Sequence, residues 1–385
     1  MIADDSRKRV LIACPGLGFS LRGFERVARD TFEALSRRAE LDVWLAKGRG
    51  PSSGNDRTAP TVSRDSALAR AAARVVRRQD FWAEQIAFAL TVQPLLARFR
   101  PEVVVLSEWA LAGTLGRLRR MTRRRFRILL CNGAPGTPPF PAGVDHVQQV
   151  TQPLADAALA AGFPAERQTV LPHGVRIPPR FEPPTGEELA ALRARLGLAG
   201  SRRVLLSVGA INSWHKRMDY VIREVASLAA VDRPHLVMLG AREAETEEVL
   251  RLADELLGPA NYSARTVAEE EVWGYYRAAD ALVLASGFEG FGLALAEGLA
   301  HGLPVLAHDM PVTRFVLGEH GYLADLGEAG SLARRLTGLT EEDGVRARGA
   351  ARHEAAYRRF SWDVLTPRYV EMLQRVAGAG PAHRR

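Results

Sequence analysis

The chain has 385 residues, enough for two domains at roughly 100–200 residues each. Its 47% hydrophobic and 25% charged residues are those of an ordinary globular protein, and the aromatic share of 7% leaves little for a nucleic-acid stacking surface. The formal charge of +8 is an arginine charge, since lysine occurs only at Lys8, Lys47 and Lys216, a bias of the kind that GC-rich bacterial genomes impose.

MIADDSRKRVLIACPG opens with acidic residues, and its apolar stretch is too short for a signal h-region. No run reaches membrane-spanning length, so a cytoplasmic protein is expected. VLIAC (Val10–Cys14) reads as a buried strand and Arg22–Arg38 as a helix, with Phe24, Val27, Ala28, Phe32 and Leu35 at helical spacing. LDVWL (Leu41–Leu45), VVVL (Val103–Leu106), ILLC (Ile128–Cys131) and TVLP (Thr169–Pro172) follow as strands, with helices between several of them. Residues 47–65 read as a loop, and Ser66–Phe99 as a helical pattern broken by Pro94. Cys14 and Cys131 lie at strand ends without metal-ligand spacing, and buried thiols in a reducing compartment are expected.

The alternation restarts after PHGVRIPPRFEPPTGEE (Pro172–Glu188), which reads as a linker. VLLSVG, HLVMLG, ALVLA and PVLA are strands beginning at Val204, His235, Ala281 and Pro304. Helices are expected at Asp219–Ala230, Thr246–Leu257 and Leu293–Ala300 between them, and an amphipathic helix at Trp362–Val376 closes the chain. Continuous apolar strands alternating with helices predict parallel sheets covered on both faces. Two such series predict two doubly wound domains, residues 1–177 and 178–360, with residues 361–385 capping the second or crossing back to the first. Ligands of such sheets bind at the carboxyl ends of the strands, so a cleft between the domains is the expected site.

SGFEGFGLALAEGLAHG (Ser286–Gly302) sits at one of those strand ends. The first amides of the helix beginning near Gly292 or Leu293 have no partner within the helix and carry partial positive charge, which suits an anion. Gly290 and Gly292 allow close approach to the backbone. Glu297, just over a turn into the helix, is a bidentate acceptor suited to a vicinal diol such as a ribose, and Glu289 in the loop suits the hydroxyls of another ring. A diphosphate at the helix start between two polyols describes a nucleotide sugar; a solvated helix start with two exposed glutamates is the bland alternative.

EGFGLALAEGLAHGLPVLA (Glu289–Ala307) resembles the glutamate-x7-glutamate signature of the retaining glycosyltransferases of family 4, which have the GT-B fold. LLSVGAINSWHKRMDYVI, LVMLGAREAE and VAEEEVWGYYRAADALVLAS resemble, in order, the family's phosphate-binding strand–loop–helix, its next strand with a glycine turn, and the helix and strand before the glutamates. The resemblance runs along nearly the whole chain, strongly in the second domain and weakly in the first. It implies two Rossmann-like domains facing a central cleft, an N-terminal acceptor domain and a C-terminal donor domain. The implied activity moves a sugar from a nucleoside-diphosphate sugar to an acceptor hydroxyl with retention of configuration. By position, Glu289 and Lys216 are the catalytic residues and Glu297 holds the ribose. Phe291, Gly292, Leu293, Gly18, Gly209, Arg217 and Val267 are the further donor contacts. No metal or other cofactor is expected, and the chain has no Asp-x-Asp motif.

The family usually has an arginine where this chain has Ala210, after Val208 and Gly209. Arg217 or His215 could take its place, or donor turnover could be lost. The alternatives are therefore a GT-B protein that binds a nucleotide sugar or glycan without transfer, and a GT-B pseudo-glycosyltransferase or epimerase. Glu108 and Asn132, at strand ends of the first domain, are candidate acceptor or sugar contacts, with loop capping as the alternative. Trp214 packs over a ligand or caps the sheet. GLGFSLRG (Gly16–Gly23) fails the G-x-G-x-x-G spacing, so NAD is not expected. RLRRMTRRRFR (Arg117–Arg127) and the basic helix expected over Ser66–Trp82 are solvated faces, or contacts to an anionic membrane on its inner face or to an anionic acceptor. No nucleic-acid motif accompanies them. The acceptor is a glycan, a lipid-linked molecule or a small molecule; base, sugar, pathway and oligomeric state are open.

Overall fold

The computed structural model describes residues 7–19, 23–63, 66, 81–133, 138–198, 200, 203–339, 343 and 345–378. The chain divides into two compact units, Met1–Gly174 with Trp362–Arg385, and Val175–Ser361. The divisions fall at Gly174/Val175 and Ser361/Trp362, against the expected 177/178 and 360/361.

The first unit is built on seven strands: β1 (Lys8–Cys14), β2 (Leu41–Lys47), β3 (Asp56–Thr58), β4 (Val103–Leu106), β5 (Arg127–Asn132), β6 (His146–Gln149) and β7 (Gln168–Val170). They lie in the order β3-β2-β1-β4-β5-β6-β7 and pair in parallel throughout. Successive side chains of β1 point to opposite faces and seed two cores. Leu11 and Ala13 pack with Phe88, Val92, Leu111 and Leu115, which come from α2 (Phe81–Thr91), its following turn, and α4 (Trp109–Met121). Val10 and Ile12 pack with Leu35 of α1 (Gly23–Leu35) and with Leu365, Tyr369 and Leu373 of the last helix, α14 (Trp362–Gly378). The helical break at Pro94 falls where expected: α3 (Gln93–Phe99) starts afresh with the proline in its first turn, and α5 (Gln152–Ala160) lies between β6 and β7. The basic helix expected over Ser66–Trp82 lies, apart from its ends, outside the described residues.

The last helix is anchored by polar contacts as well. Tyr369 donates to the Pro172 carbonyl at 2.9 Å and accepts from Gln148 Nε2 at 2.7 Å. Its first residue, Trp362, lies over Gly174, where a Cβ would come within 2.3 Å of the indole; only glycine lets the two meet.

The second unit has six parallel strands: β8 (Val204–Val208), β9 (His235–Leu239), β10 (Tyr262–Arg265), β11 (Ala281–Leu284), β12 (Val305–His308) and β13 (Gly321–Ala324). Their order is β10-β9-β8-β11-β12-β13. This is the doubly wound pattern in which strand order reverses between the first and fourth strands, here β8 and β11. The segment expected as linker holds the start of α6 (Gly186–Arg195). Thr185 accepts from the Glu188 amide while Glu188 accepts from the Thr185 amide, a capping box that begins the helix straight after two prolines. The remaining helices before the glutamate loop are α7 (Met218–Ser227), α8 (Thr246–Leu256) and α9 (Glu269–Ala278). Beyond it come α10 (Leu293–Ala300), α11 (Pro311–Leu317), α12 (Ser331–Thr337) and α13 (Val345–Phe360). Met218, Val221 and Ile222 of α7 pack on Leu236, Met238 and Val283 of the sheet. Buried Glu224 of α7 accepts from the Gly330 and Ala333 amides at 2.6 and 3.0 Å, satisfying the start of α12 from a neighbouring helix.

Candidate functional site

The loops after β8 and β11 leave the second sheet side by side, because those strands are neighbours at the switch point. Each brings one charged residue to the other. Lys216 Nζ lies 2.5 Å from Glu289 Oε1, with the two side chains 15% and 9% exposed. Such a pair is largely withdrawn from solvent screening.

Three further contacts bind the loops together. The Gly287 amide donates to the His215 carbonyl at 3.1 Å, and His215 Nε2 lies 3.1 Å from the Phe288 carbonyl. The rings of His215 and Phe288 stack at 4.3 Å. Burial, and then the Lys216 cation, hold His215 below the ordinary imidazole value, outweighing the opposite pull of Glu289.

The lysine loop has its own scaffold. Asn212 Oδ1 accepts from the His215 and Lys216 amides at 3.2 and 2.8 Å, and its amide group donates to Glu243. Glu245 accepts from the Ser213 and Trp214 amides at 2.9 and 3.3 Å and from the Ser213 hydroxyl. Glu243 and Glu245 stand in the loop after β9, so three consecutive strand ends cooperate. Gly209 has φ +154°, and a Cβ there would come within 2.7 Å of Lys216 Cε; its bare backbone makes room for the lysine stem. Arg217 takes the left-handed conformation, φ 52°, at the start of α7, and its guanidinium lies 4.8 Å from the Tyr220 ring. A Cβ built on Gly287 would sit 3.9 Å from Arg217 Cδ, so this arginine borders the same two loops.

The two glutamates of the motif part company. Glu289 joins Lys216, whereas Glu297 is 2% exposed and accepts a hydrogen bond from the Tyr276 hydroxyl of α9 at 2.7 Å. Tyr276 in turn stacks on His301 at 4.9 Å, and burial pulls His301 down to about 4. The expected start of α10 is observed, with Gly292 at φ 77° as its N-cap. Phe291 is buried against Phe360 at 5.4 Å, which leaves its backbone rather than its ring for a ligand. Leu293 and Val267 are half-buried, Val267 in the loop between β10 and α9.

In the first unit Gly18 has φ +97°, and a Cβ there would come within 2.2 Å of the Arg49 carbonyl, so the fold itself requires glycine. Glu108 precedes α4 at the carboxyl end of β4 and is 9% exposed; its carboxylate accepts from the Ser107 amide at 3.2 Å and lies 3.9 Å from Cys14 Sγ. Asn132 is fully buried and donates to Gln149 Oε1 at 2.8 Å. Both stand at strand ends as expected, but their side chains turn into the unit. Both cysteines are buried thiols, and burial pushes Cys131 up to about 12. Within the arginine run, Arg119 and Arg127 pair with Asp145 and Arg124 donates to Gln93, while Arg117, Arg120, Arg123 and Arg125 are exposed.

The residues that spacing did not reveal are Asn212, Glu243, Glu245 and Tyr276. Asn212 carried a faint signal, since an asparagine four residues before a loop lysine can accept backbone amides of its own turn. Tyr276 carried none; its partners, Glu297 and His301, are brought to it only by the tertiary fold. Among the described residues no cluster of three or more His, Cys, Asp or Glu could hold a metal, and no helix is long and apolar enough to cross a membrane.

Comparisons with known proteins bear on this geometry. Residues 202–342 match the family model described as glycosyl transferases group 1. The D-inositol 3-phosphate glycosyltransferase of Xylanimonas cellulosilytica is 30% identical over 275 residues, covering 65% of this chain and 64% of that protein. The chain thus spans just under two thirds of that relative's length. The lipopolysaccharide core biosynthesis glycosyltransferase LpsE of Rhizobium meliloti is 25% identical, covering 75% of this chain and 81% of that protein. Among solved structures, sucrose-phosphate synthase of Thermosynechococcus elongatus superposes with a TM-score of 0.77 at 18% identity, covering 97% of this chain and 100% of that chain. Anabaena HepE in complex with UDP-glucose gives 0.71 at 16%, covering 95% and 99%. Residues 202–342 are thus similar to the glycosyl transferases group 1 family, and the two Rossmann-like parallel-sheet units have the fold of the GT-B glycosyltransferases.

Proposed function

We propose that the chain is a retaining, metal-independent glycosyltransferase of family 4 and that its second unit binds the nucleoside-diphosphate sugar. The observation that carries this reading is the Lys216–Glu289 pair, assembled from two loops at the switch point and followed three residues later by the N-cap of α10. A cation and helix amides together meet a diphosphate, and both act most strongly on the charge that develops as the diphosphate leaves. Glu289 takes hydroxyls of the transferred sugar. Glu297 takes the ribose diol, with Tyr276 fixing one oxygen of its carboxylate. Gly209, Arg217, Val267 and the backbone of Phe291, Gly292 and Leu293 complete the donor contacts, and Arg217 supplies the guanidinium that Ala210 lacks.

In the reaction the bond from the anomeric carbon to the diphosphate oxygen breaks, and a bond to the acceptor oxygen forms on the same face. The acceptor proton passes to the departing phosphate oxygen. Lys216 neutralises that phosphate, a task that a metal performs in other sites. The names of the relatives favour a polyol, a glycan or a lipid-linked saccharide as acceptor, with Glu108 and Asn132 of the first unit serving it; Gly18 belongs with the donor contacts. The exposed arginines of the run at 117–125 suit an anionic membrane surface beside a cytoplasmic enzyme.

The test is incubation with UDP-, GDP- and ADP-sugars and an acceptor panel, with EDTA present, followed by NMR of the product's anomeric configuration. A product that keeps the donor's configuration supports the reading; inversion or a strict metal requirement overturns it. Ala210 favours a second reading, a nucleotide-sugar binder without transfer. Diphosphate binding with neither hydrolysis nor transfer across the panel would select it.

A further inference from the structure

Trp214 and Phe288 are large apolar side chains left 61% and 40% exposed, and they stand in the same two loops that supply Lys216 and Glu289. With His215 they form a closed set of rings: Trp214 to His215 at 5.2 Å, His215 to Phe288 at 4.3 Å, and Trp214 to Phe288 at 5.7 Å. The set is held in place. The Trp214 amide donates to Glu245, and the His215 ring is fixed between the Phe288 carbonyl and the Phe288 ring. An exposed tryptophan held this way gives up burial in the free protein, and it presents a rigid aromatic face at little further entropic cost.

The neighbourhood says what such a face meets. Glu289 is an acceptor for hydroxyl groups and Lys216 a donor, so the aromatic surface adjoins groups that bind a polyhydroxylated ring. A pyranose is amphipathic in the matching sense. Its hydroxyls project around the rim, while one ring face presents C–H groups with partial positive charge, which the negative face of an aromatic ring attracts. An apolar wall with a few placed polar groups is the usual build of a small-ligand site.

We propose that Trp214 and Phe288, with His215 between them, form a stacking platform for a pyranose ring whose hydroxyls reach Glu289. The inference rests on the nucleotide-sugar reading above and assigns that site its sugar-contacting surface. The pyranose belongs either to the donor or to the acceptor.

The test uses the full chain with Trp214→Ala, Phe288→Ala and the conservative Trp214→Phe. Both positions are exposed, and thermal midpoints within a few degrees of wild type establish intact folding. Calorimetry compares UDP with UDP-glucose and GDP with GDP-mannose, and steady-state transfer gives KM for each substrate. If the platform holds the donor sugar, the alanine variants bind the bare diphosphate within twofold of wild type but lose tenfold or more of the added affinity of the sugar nucleotide; Trp214→Phe recovers most of it. If it holds the acceptor, acceptor KM rises tenfold or more at unchanged donor KM. Either result supports the platform. Unchanged sugar increment and unchanged acceptor KM in both alanine variants overturn it while leaving the proposed function standing. A tenfold loss for the bare diphosphate also overturns it, since the platform would then stack the base. If no diphosphate binds wild type, the proposed function fails, and titration with methyl glucoside and methyl mannoside decides. Wild-type binding lost in Trp214→Ala upholds the platform, and absence of binding ends it.

Discussion

Lys216 and Glu289 lie 73 positions apart and meet at 2.5 Å because the strands that precede them, β8 and β11, are neighbours in the sheet. The pair is where the loop geometry and the expected chemistry coincide. On the proposed function Lys216→Ala removes the cation at the leaving diphosphate, and it should lower kcat on the order of 10²-fold, with a smaller effect on diphosphate affinity. Glu289→Gln should lower turnover without abolishing diphosphate binding. Steady-state kinetics with calorimetry separates the two, and full activity in both variants would remove the pair from the site.

Gly209→Ala tests position rather than charge. The new methyl would fall within 2.7 Å of Lys216 Cε, and at φ +154° the residue would also be strained. The lysine should move aside while remaining in the chain. Turnover should drop roughly 10²-fold, the scale that a misplacement of about 1 Å produces. Activity like that of wild type would mean that the lysine stem does not need this place.

Tyr276→Phe deletes the hydroxyl that donates to buried Glu297 and leaves the ring stacked on His301. Losing a donor to a buried carboxylate costs about 1–3 kcal/mol, to be read by urea unfolding. Nucleoside diphosphate affinity should fall in the same variant, because the carboxylate loses its fixed orientation. A change in neither quantity would show that Tyr276 only fills space.

The pH dependence of stability follows from buried imidazoles. Burial pulls His146, His173 and His301 down to about 4, below the roughly 6.5 of a free imidazole. As pH falls through 6.5, the unfolded chain takes up protons that the folded chain refuses. Stability present above pH 6.5 should therefore decline toward pH 4, by up to about 1.4 kcal/mol per pH unit for each such histidine. Urea midpoints between pH 7.5 and 4.5 measure the slope. His173→Asn should make it shallower, and an unchanged slope would assign the decline to other groups.

Much of this architecture was legible because buried parallel strands read as continuous apolar runs. VLLSV, HLVML and ALVL were found that way. β6 was not, because its sequence is HVQQ. Gln148 and Gln149 are buried all the same, since Leu171 and Tyr369 satisfy the first and Asn132 and Gln168 the second. Tyr369 lies 221 residues away, beyond the reach of any local pattern. β3, DRT, escaped because it is a three-residue edge strand whose Asp56 is held by Lys47 and Arg29. At the site, the eight-residue spacing located both glutamates but not their directions. Those depend on the partners that the fold brings to them, Lys216 to Glu289 and Tyr276 to Glu297, and that is a property of the folded unit alone.

The last helix has a consequence for synthesis. Residues 175–361 form the whole second unit, and they are translated before the helix that completes the first. A ribosome adding about 5–20 residues per second keeps the first unit waiting for roughly ten to forty seconds. Throughout that interval Val10 and Ile12 lack the cover that Leu365, Tyr369 and Leu373 later provide. The nascent chain thus carries an apolar sheet face covered only in part, by α1, while its downstream half is free to fold. A stop codon near the 3′ end would spare every strand of the first unit and still leave that unit unfinished.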